Sequence, residues 1–181
     1  MVIGVLKEIK ANEYRVATVP STVRDIVRRG HEVYVEHDAG AGSGFRDDDY
    51  EAAGAIIAAA DEVWAKAQLY YKVKELFPQE FKWMNKDKIL FTYIHSNAHR
   101  EETDCLLASG VSAIAYEDVT LANATLPYLL QIADKGFKRA VAENKYLRAG
   151  MTCWGGKLTL RETALKQGRE WTDPEELIKS W

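Results

Sequence analysis

Ile89-Leu90-Phe91-Thr92-Tyr93-Ile94-His95 is the clearest strand in this chain, a β-rich run. A helix-like stretch with acids in its first turn, Arg100–Ser109, follows and is closed by Gly110; Val111–Tyr116 then reads as a second strand. Strand, helix and strand in that order form a βαβ unit, whose two strands lie parallel. The same alternation extends back to the N-terminus. Val2–Leu6 is strand-like, and Pro20 and Ser21 open a helix with Val23, Ile26 and Val27 on one face that Gly30 stops. His31–His37, Ala55–Ala58 and Leu69–Lys74 read as further strands. Asp47–Ala53 and a segment from Asp61, as a cap, to Ala67 fill the helical spacers.

The fold class is therefore α/β: a doubly wound, mostly parallel sheet with helices on both faces, in a single domain. The last third is more helical. Leu126, Leu129, Leu130 and Ala133 keep helical spacing, with Pro127 in the first turn and Gly136 past the end. A second helix runs from Phe137 to about Glu143, Lys157–Thr159 reads as a short strand, and Asp173-Pro174-Glu175-Glu176 opens a terminal helix.

Composition narrows the function. The 181 residues are 47% hydrophobic and 28% charged, with net charge −3. That balance suits a folded domain with its own core and argues against a nucleic-acid binder or a polybasic membrane anchor. Cys105 and Cys153 fit neither a disulfide framework nor a zinc spacing, and no run approaches a membrane span. A cytoplasmic setting is expected.

Ligands in open parallel sheets bind beyond the carboxyl ends of the strands. Arg15 lies in the loop after the first strand. Lys72 and Lys74 end the Leu69 strand, and His95 ends the Ile89 strand. Arg grips a carboxylate with a two-pronged fork, Lys adds a point charge, and an imidazole can act as acid or base near neutral pH. The set suits a small carboxylate; each residue alone reads more readily as a solvated or structural group, and the case rests on all of them falling at strand ends. The glycines of Gly40-Ala41-Gly42-Ser43-Gly44-Phe45 lack the dinucleotide spacing and precede Asp47-Asp48-Asp49, whose charge would repel a pyrophosphate. A structural turn is expected there. Cys105, beside Leu106 and Leu107, reads as core.

At these residues the chain resembles the bacterial alanine dehydrogenases and, more distantly, the nicotinamide nucleotide transhydrogenase α subunit. The resemblance rests on Gly4–Ala17, Arg29–Val33, Gly40–Phe45, Lys72–Glu75 and Leu90–His95, and runs almost continuously from Met1 to about Val119. Leu121–Tyr128, Gln131–Gly136, Arg148–Gly150 and Gly156–Thr159 then look like the family's C-terminal segment. The resemblance implies a flavodoxin-like substrate domain in two parts, 1–119 and 121–181, joined where the family has its NAD-binding domain. It implies that Arg15 and Lys74 hold the pyruvate carboxylate and that His95 is the catalytic acid/base on the carbonyl. It implies L-alanine/pyruvate as substrates, NAD as the full family's cofactor with none bound by this chain alone, no nucleic-acid or membrane partner, and a homo-oligomer. Ser96-Asn97 departs from the usual apolar pair after the histidine, and Leu76-Phe77 from the usual Pro-Leu. Two other readings stay open: a regulatory or oligomerisation module without catalysis, and half of an enzyme completed by a separate nucleotide-binding chain.

Overall fold

Short apolar runs become strands here because their neighbours bury them from both sides. In the computed structural model, which describes residues 1–116 and 125–181, the chain resolves into two compact units, residues 1–74 and 75–181. The first unit holds β1 (Val2–Val5), β2 (Glu32–Glu36), β3 (Ile56–Ala58) and β4 (Leu69–Tyr71), in the spatial order β3-β2-β1-β4 and parallel at every pairing. Ile3 lies opposite Val33 on one side and Leu69 on the other, and none of the three has exposed surface.

Three helices cover these strands. In α1 (Pro20–Arg28), Pro20 occupies the first turn, where its missing N–H costs nothing, and Val23 and Ile26 are buried. Gly30, in the left-handed region at φ 84°, ends the helix by donating its N–H to Val27 O at 2.9 Å. α2 (Asp47–Glu51) is short, and its Asp49 carboxylate accepts the Arg46 N–H at 2.8 Å. α3 (Ala60–Lys66) begins one residue before the expected cap, so Asp61 lies in its first turn and acts through the helix dipole rather than as a cap. Tyr70 ties α3 to β4. Its hydroxyl donates to Trp64 O at 2.7 Å, and the two rings meet edge to face at 4.6 Å.

The second unit begins with a 3₁₀ turn, Pro78–Trp83, and contains β5 (Ile89–Thr92), α4 (Arg100–Ser109) and β6 (Ser112–Ala115), with β5 and β6 parallel. After residue 124 come α5 (Thr125–Lys135), α6 (Phe137–Glu143) and α7 (Lys145–Ala149), the last capped by Asn144 Oδ1. β7 (Met151–Trp154) and β8 (Lys157–Leu158) then form an antiparallel hairpin on β6, giving the order β5-β6-β7-β8. Gly155 and Gly156 both have positive φ, as a two-residue hairpin turn of this hand requires. α8 (Arg161–Gln167) and α9 (Pro174–Ile178) complete the unit, with Asp173 capping α9 by accepting the Glu175 N–H at 2.9 Å.

The fold class is the expected α/β one, with a mostly parallel strand arrangement. Two strands are shorter than their sequences suggest. β5 stops at Thr92, and His95, at φ 51°, has a backbone conformation that no strand includes. β4 stops at Tyr71, and the next N–H but one, that of Val73, goes to a carboxylate. The proposed junction near 119–121 lies outside the described residues, as do the first four residues of the Leu121–Tyr128 motif.

Gly4 sets how closely α3 approaches β1. A Cβ there would lie 2.7 Å from Ala67 Cβ and 3.0 Å from Val63 Cγ1. Gly4→Ala is therefore expected to lower stability by about 1–3 kcal/mol, the usual cost of overpacking, read as a lower urea midpoint. An unchanged midpoint would show that α3 yields freely.

Candidate functional site

The first unit gathers its charged groups beyond the ends of β1 and β4. The chain leaves β1 through Leu6 and Lys7 to Glu8, whose side chain is almost wholly buried. One Glu8 oxygen accepts the Val73 N–H at 2.6 Å; the other lies 3.4 Å from Lys72 Nζ, on a side chain with no exposed surface. The sequence offered Lys72 as a solvated strand-end charge or a ligand group. It is neither, because its ammonium is spent inside the protein. The same carboxylate links the start of the loop that carries Arg15 to the segment that carries Lys74.

That loop then turns sharply. Glu13 N–H donates to Lys10 O at 3.1 Å, and Asn12 takes φ 63°, the left-handed conformation that Asn tolerates better than most residues. The turn puts Glu13 against Arg15. Glu13 Oε1 accepts from Arg15 Nε at 2.7 Å and from the Arg15 backbone N–H at 3.0 Å, and Oε2 accepts from Nη2 at 2.5 Å. Hydrogen bonding from the Arg15 side chain is the main reason the Glu13 carboxyl is held far down, at about 2, and the Lys74 charge pulls in the same direction. Glu13 therefore senses both proposed cations. Its sequence position gives no sign of this, since a carboxylate two positions before an Arg is ordinary on a surface.

The glycine-rich segment supports this loop from outside. Residues 41–43 form a 3₁₀ turn, and Ser43 Oγ donates to Tyr14 O at 2.9 Å. A Cβ on Gly42 would lie 2.9 Å from Tyr14 O, and one on Gly40 would lie 2.6 Å from the Tyr50 ring. Tyr50, fully buried, donates its hydroxyl to Thr18 O at 2.8 Å. The N–H groups of Ser43, Gly44 and Phe45 all donate to carbonyls of the same turn. The expected structural turn is thus the right reading, and this loop does not fit a dinucleotide phosphate. Its acids have local partners as well: Asp47 accepts the Asp38 N–H at 2.9 Å and contacts the His37 ring. His37, Asp38 and Asp47 bring three potential ligand atoms within 4.8 Å of one another, a proximity that sequence spacing did not reveal. Here the ring bridges the two carboxylates and staples the end of β2 to the start of α2.

His95 belongs to the second unit and is exposed. Its ring stacks on Tyr93 at 5.6 Å with the planes 8° apart, and its carbonyl accepts the Ala98 N–H at 2.8 Å. A non-glycine residue at φ 51° costs about 1–2 kcal/mol unless its surroundings hold it there. The holding comes from α8. Ser96 Oγ and Thr163 Oγ1 share a hydrogen bond of 2.7 Å, Thr163 donates to Asn97 Oδ1 at 3.0 Å, and Gln167 Nε2 donates to Ser96 O at 2.7 Å. The unusual Ser96-Asn97 pair thus has polar partners supplied from the C-terminal region. Burial pushes the Cys105 thiol up to about 11 and the Cys153 thiol up to about 12, far from a thiolate at neutral pH.

Fold and site define an α/β protein with an exposed guanidinium and an exposed imidazole beyond its strand ends, and a glycine-rich turn whose N–H groups bond within it. The family model for "Alanine dehydrogenase/PNT, N-terminal domain" matches residues 4–136, so the chain belongs to the alanine dehydrogenase/PNT family. It is 48% identical over 135 residues to an alanine dehydrogenase from Mycolicibacterium smegmatis, covering 74% of this chain and 36% of that protein. It is 47% identical over 135 residues to the one from Bacillus subtilis, covering 74% and 35%. Among solved structures it is similar to an L-alanine dehydrogenase (TM-score 0.64, 45% identity, 79% of this chain and 40% of that one). It is also similar to a transhydrogenase from Sinorhizobium meliloti (TM-score 0.63, 25% identity, 81% and 44%). The chain spans well under half the length of these relatives. No helix among the described residues is long and apolar enough to cross a membrane.

Removing the Glu8 carboxylate takes an ionic acceptor from both a buried ammonium and a buried N–H. Glu8→Ala is expected to cost about 3–5 kcal/mol, the range for breaking a buried ion pair. Chemical denaturation checks this, and a loss below about 1 kcal/mol, the level of an exposed pair, would contradict it.

Proposed function

We propose that this chain is the substrate-binding part of an alanine dehydrogenase-like oxidoreductase, recognising pyruvate and L-alanine. In this reading Arg15 and Lys74 are the carboxylate-binding residues and His95 is the catalytic acid/base. The observation that carries this reading is the pairing of Arg15 with a carboxylate already in this structure, in a two-pronged geometry with the Lys74 charge nearby. A guanidinium fork positioned this way recognises planar carboxylates in general.

His95 suits an acid/base role on chemical grounds. It is exposed, it is held in a strained backbone conformation by a hydrogen-bonded shell, and its ring plane is fixed by stacking on Tyr93. Strain of this kind gathers at functional positions because surrounding structure must be devoted to keeping it. The glycine-rich loop does not fit NAD, and no hydride step is assigned to this chain. Alone, it binds substrate and turns nothing over.

Pyruvate binding by isothermal titration calorimetry tests the proposal. The wild-type chain is expected to release or absorb heat on binding. Arg15→Ala and Lys74→Ala should each weaken binding by at least about tenfold, in line with about 1.5–3 kcal/mol for a charge-assisted hydrogen bond. Equal heats from all three proteins, or none from any, would overturn the reading and favour a regulatory or oligomerisation module.

A further inference from the structure

Glu13 brings a carboxylate to the one side chain that, under the proposed function, must receive the carboxylate of the substrate. Both oxygens are engaged: Oε1 with Nε at 2.7 Å and Oε2 with Nη2 at 2.5 Å. This is the fork-to-fork arrangement a free carboxylic acid would adopt on a guanidinium. A guanidinium edge occupied in this way cannot accept a second carboxylate in the same geometry.

The two partners differ in how firmly they are held. The Glu13 side chain is only 11% exposed and is anchored by the Lys10–Glu13 turn and the Arg15 backbone N–H, whereas the Arg15 side chain is 61% exposed. The movable member of the pair is therefore Arg15. The loop behind them is pinned at Tyr14 by Ser43 and at Thr18 by Tyr50, so the backbone between need not move for the guanidinium to change partners.

We propose that Glu13 is an internal stand-in for the substrate: its carboxylate occupies Arg15 in the empty protein, and a small carboxylate ligand binds by displacing it. Glu13 thereby sets a threshold of affinity. Anions too weak to replace a two-pronged carboxylate do not hold Arg15, while a 2-oxo or 2-amino acid, with further contacts of its own, does. Glu13 stays ionised throughout the working pH range, so the competition persists across it. In the ligand-free state Glu13 also keeps Arg15 neutralised and oriented, which removes the need to order a free arginine when the ligand arrives.

The inference rests on the proposed carboxylate-binding role of Arg15, and the test separates the two. Pyruvate affinity is measured by calorimetry for the wild-type chain, Glu13→Gln, Glu13→Ala and Asp48→Asn, with circular dichroism confirming the fold of each. Asp48→Asn removes an exposed charge from the same unit and controls for general electrostatics. An exposed pair is worth up to about 1 kcal/mol, so freeing Arg15 should tighten binding by about fivefold in the Glu13 variants and leave Asp48→Asn near wild type. If the wild type binds and the Glu13 variants bind equally or more weakly, the competition is overturned while the function stands. If neither the wild type nor the Glu13 variants bind, both readings fall. A comparable gain in Asp48→Asn would replace competition with bulk charge and also overturn it. One readout needs no variant. The Arg15 Nε–H resonance in the wild-type chain should move when pyruvate saturates the protein, and an unmoved resonance contradicts displacement.

Discussion

The first unit depends on the placement of one carboxylate. Glu8 is buried at the point where the chain leaves β1, and it closes two contacts at once, with the Val73 N–H and the Lys72 ammonium. Burying an ammonium without a partner would cost several kcal/mol, and so would burying a carboxylate. Each makes the other tolerable. The consequence is positional: the loop bearing Glu13 and Arg15 and the segment bearing Lys74 leave the sheet from a common charged junction. The parallel pairing of β1 with β4 brings those strand ends side by side, and Glu8 locks together the two segments that leave them.

From there outward the loop that carries Arg15 is held from behind. Arg15 is exposed, yet the backbone on either side of it is fixed by two side chains from later elements, Ser43 on Tyr14 and Tyr50 on Thr18. Gly40 and Gly42 are small because the Tyr50 ring and the Tyr14 backbone fill the space where their side chains would be. His95 in the second unit is handled by the same logic with different residues. An exposed ring sits on a strained backbone, and Thr163 and Gln167 hold the next two residues in place.

Much of this was legible in the sequence. Val2–Leu6 announces a buried parallel strand by its apolar run, the Leu69 and Ile89 runs announce strands by their β-rich residues, and Pro20, Gly30 and Asp173 mark helix ends by local rules. The family motifs around Arg15, Lys74 and His95 were equally plain. What escaped are the features created by tertiary proximity. Nothing in the spacing of Glu8 and Lys72, 64 positions apart, says that they neutralise each other. β7 was passed over because Met151-Thr152-Cys153-Trp154 is short, although a Gly-Gly pair comes after it and a strand-like segment comes next. Ser96-Asn97 read as a weakness beside His95 because their partners, Thr163 and Gln167, lie more than sixty residues further along the chain. Glu13 was hidden by being ordinary, since acid and base two residues apart are common in any polar loop.

The proposed function rests on Arg15 and Lys74 receiving the carboxylate of a small ligand. A crystal structure of the chain grown with pyruvate tests it most directly. The expected result is ligand density with its carboxylate on the Arg15 guanidinium and the Lys74 ammonium, the guanidinium turned away from Glu13, and the Glu8–Val73 contact unchanged. Pyruvate density elsewhere, with Arg15 still paired to Glu13, would contradict it.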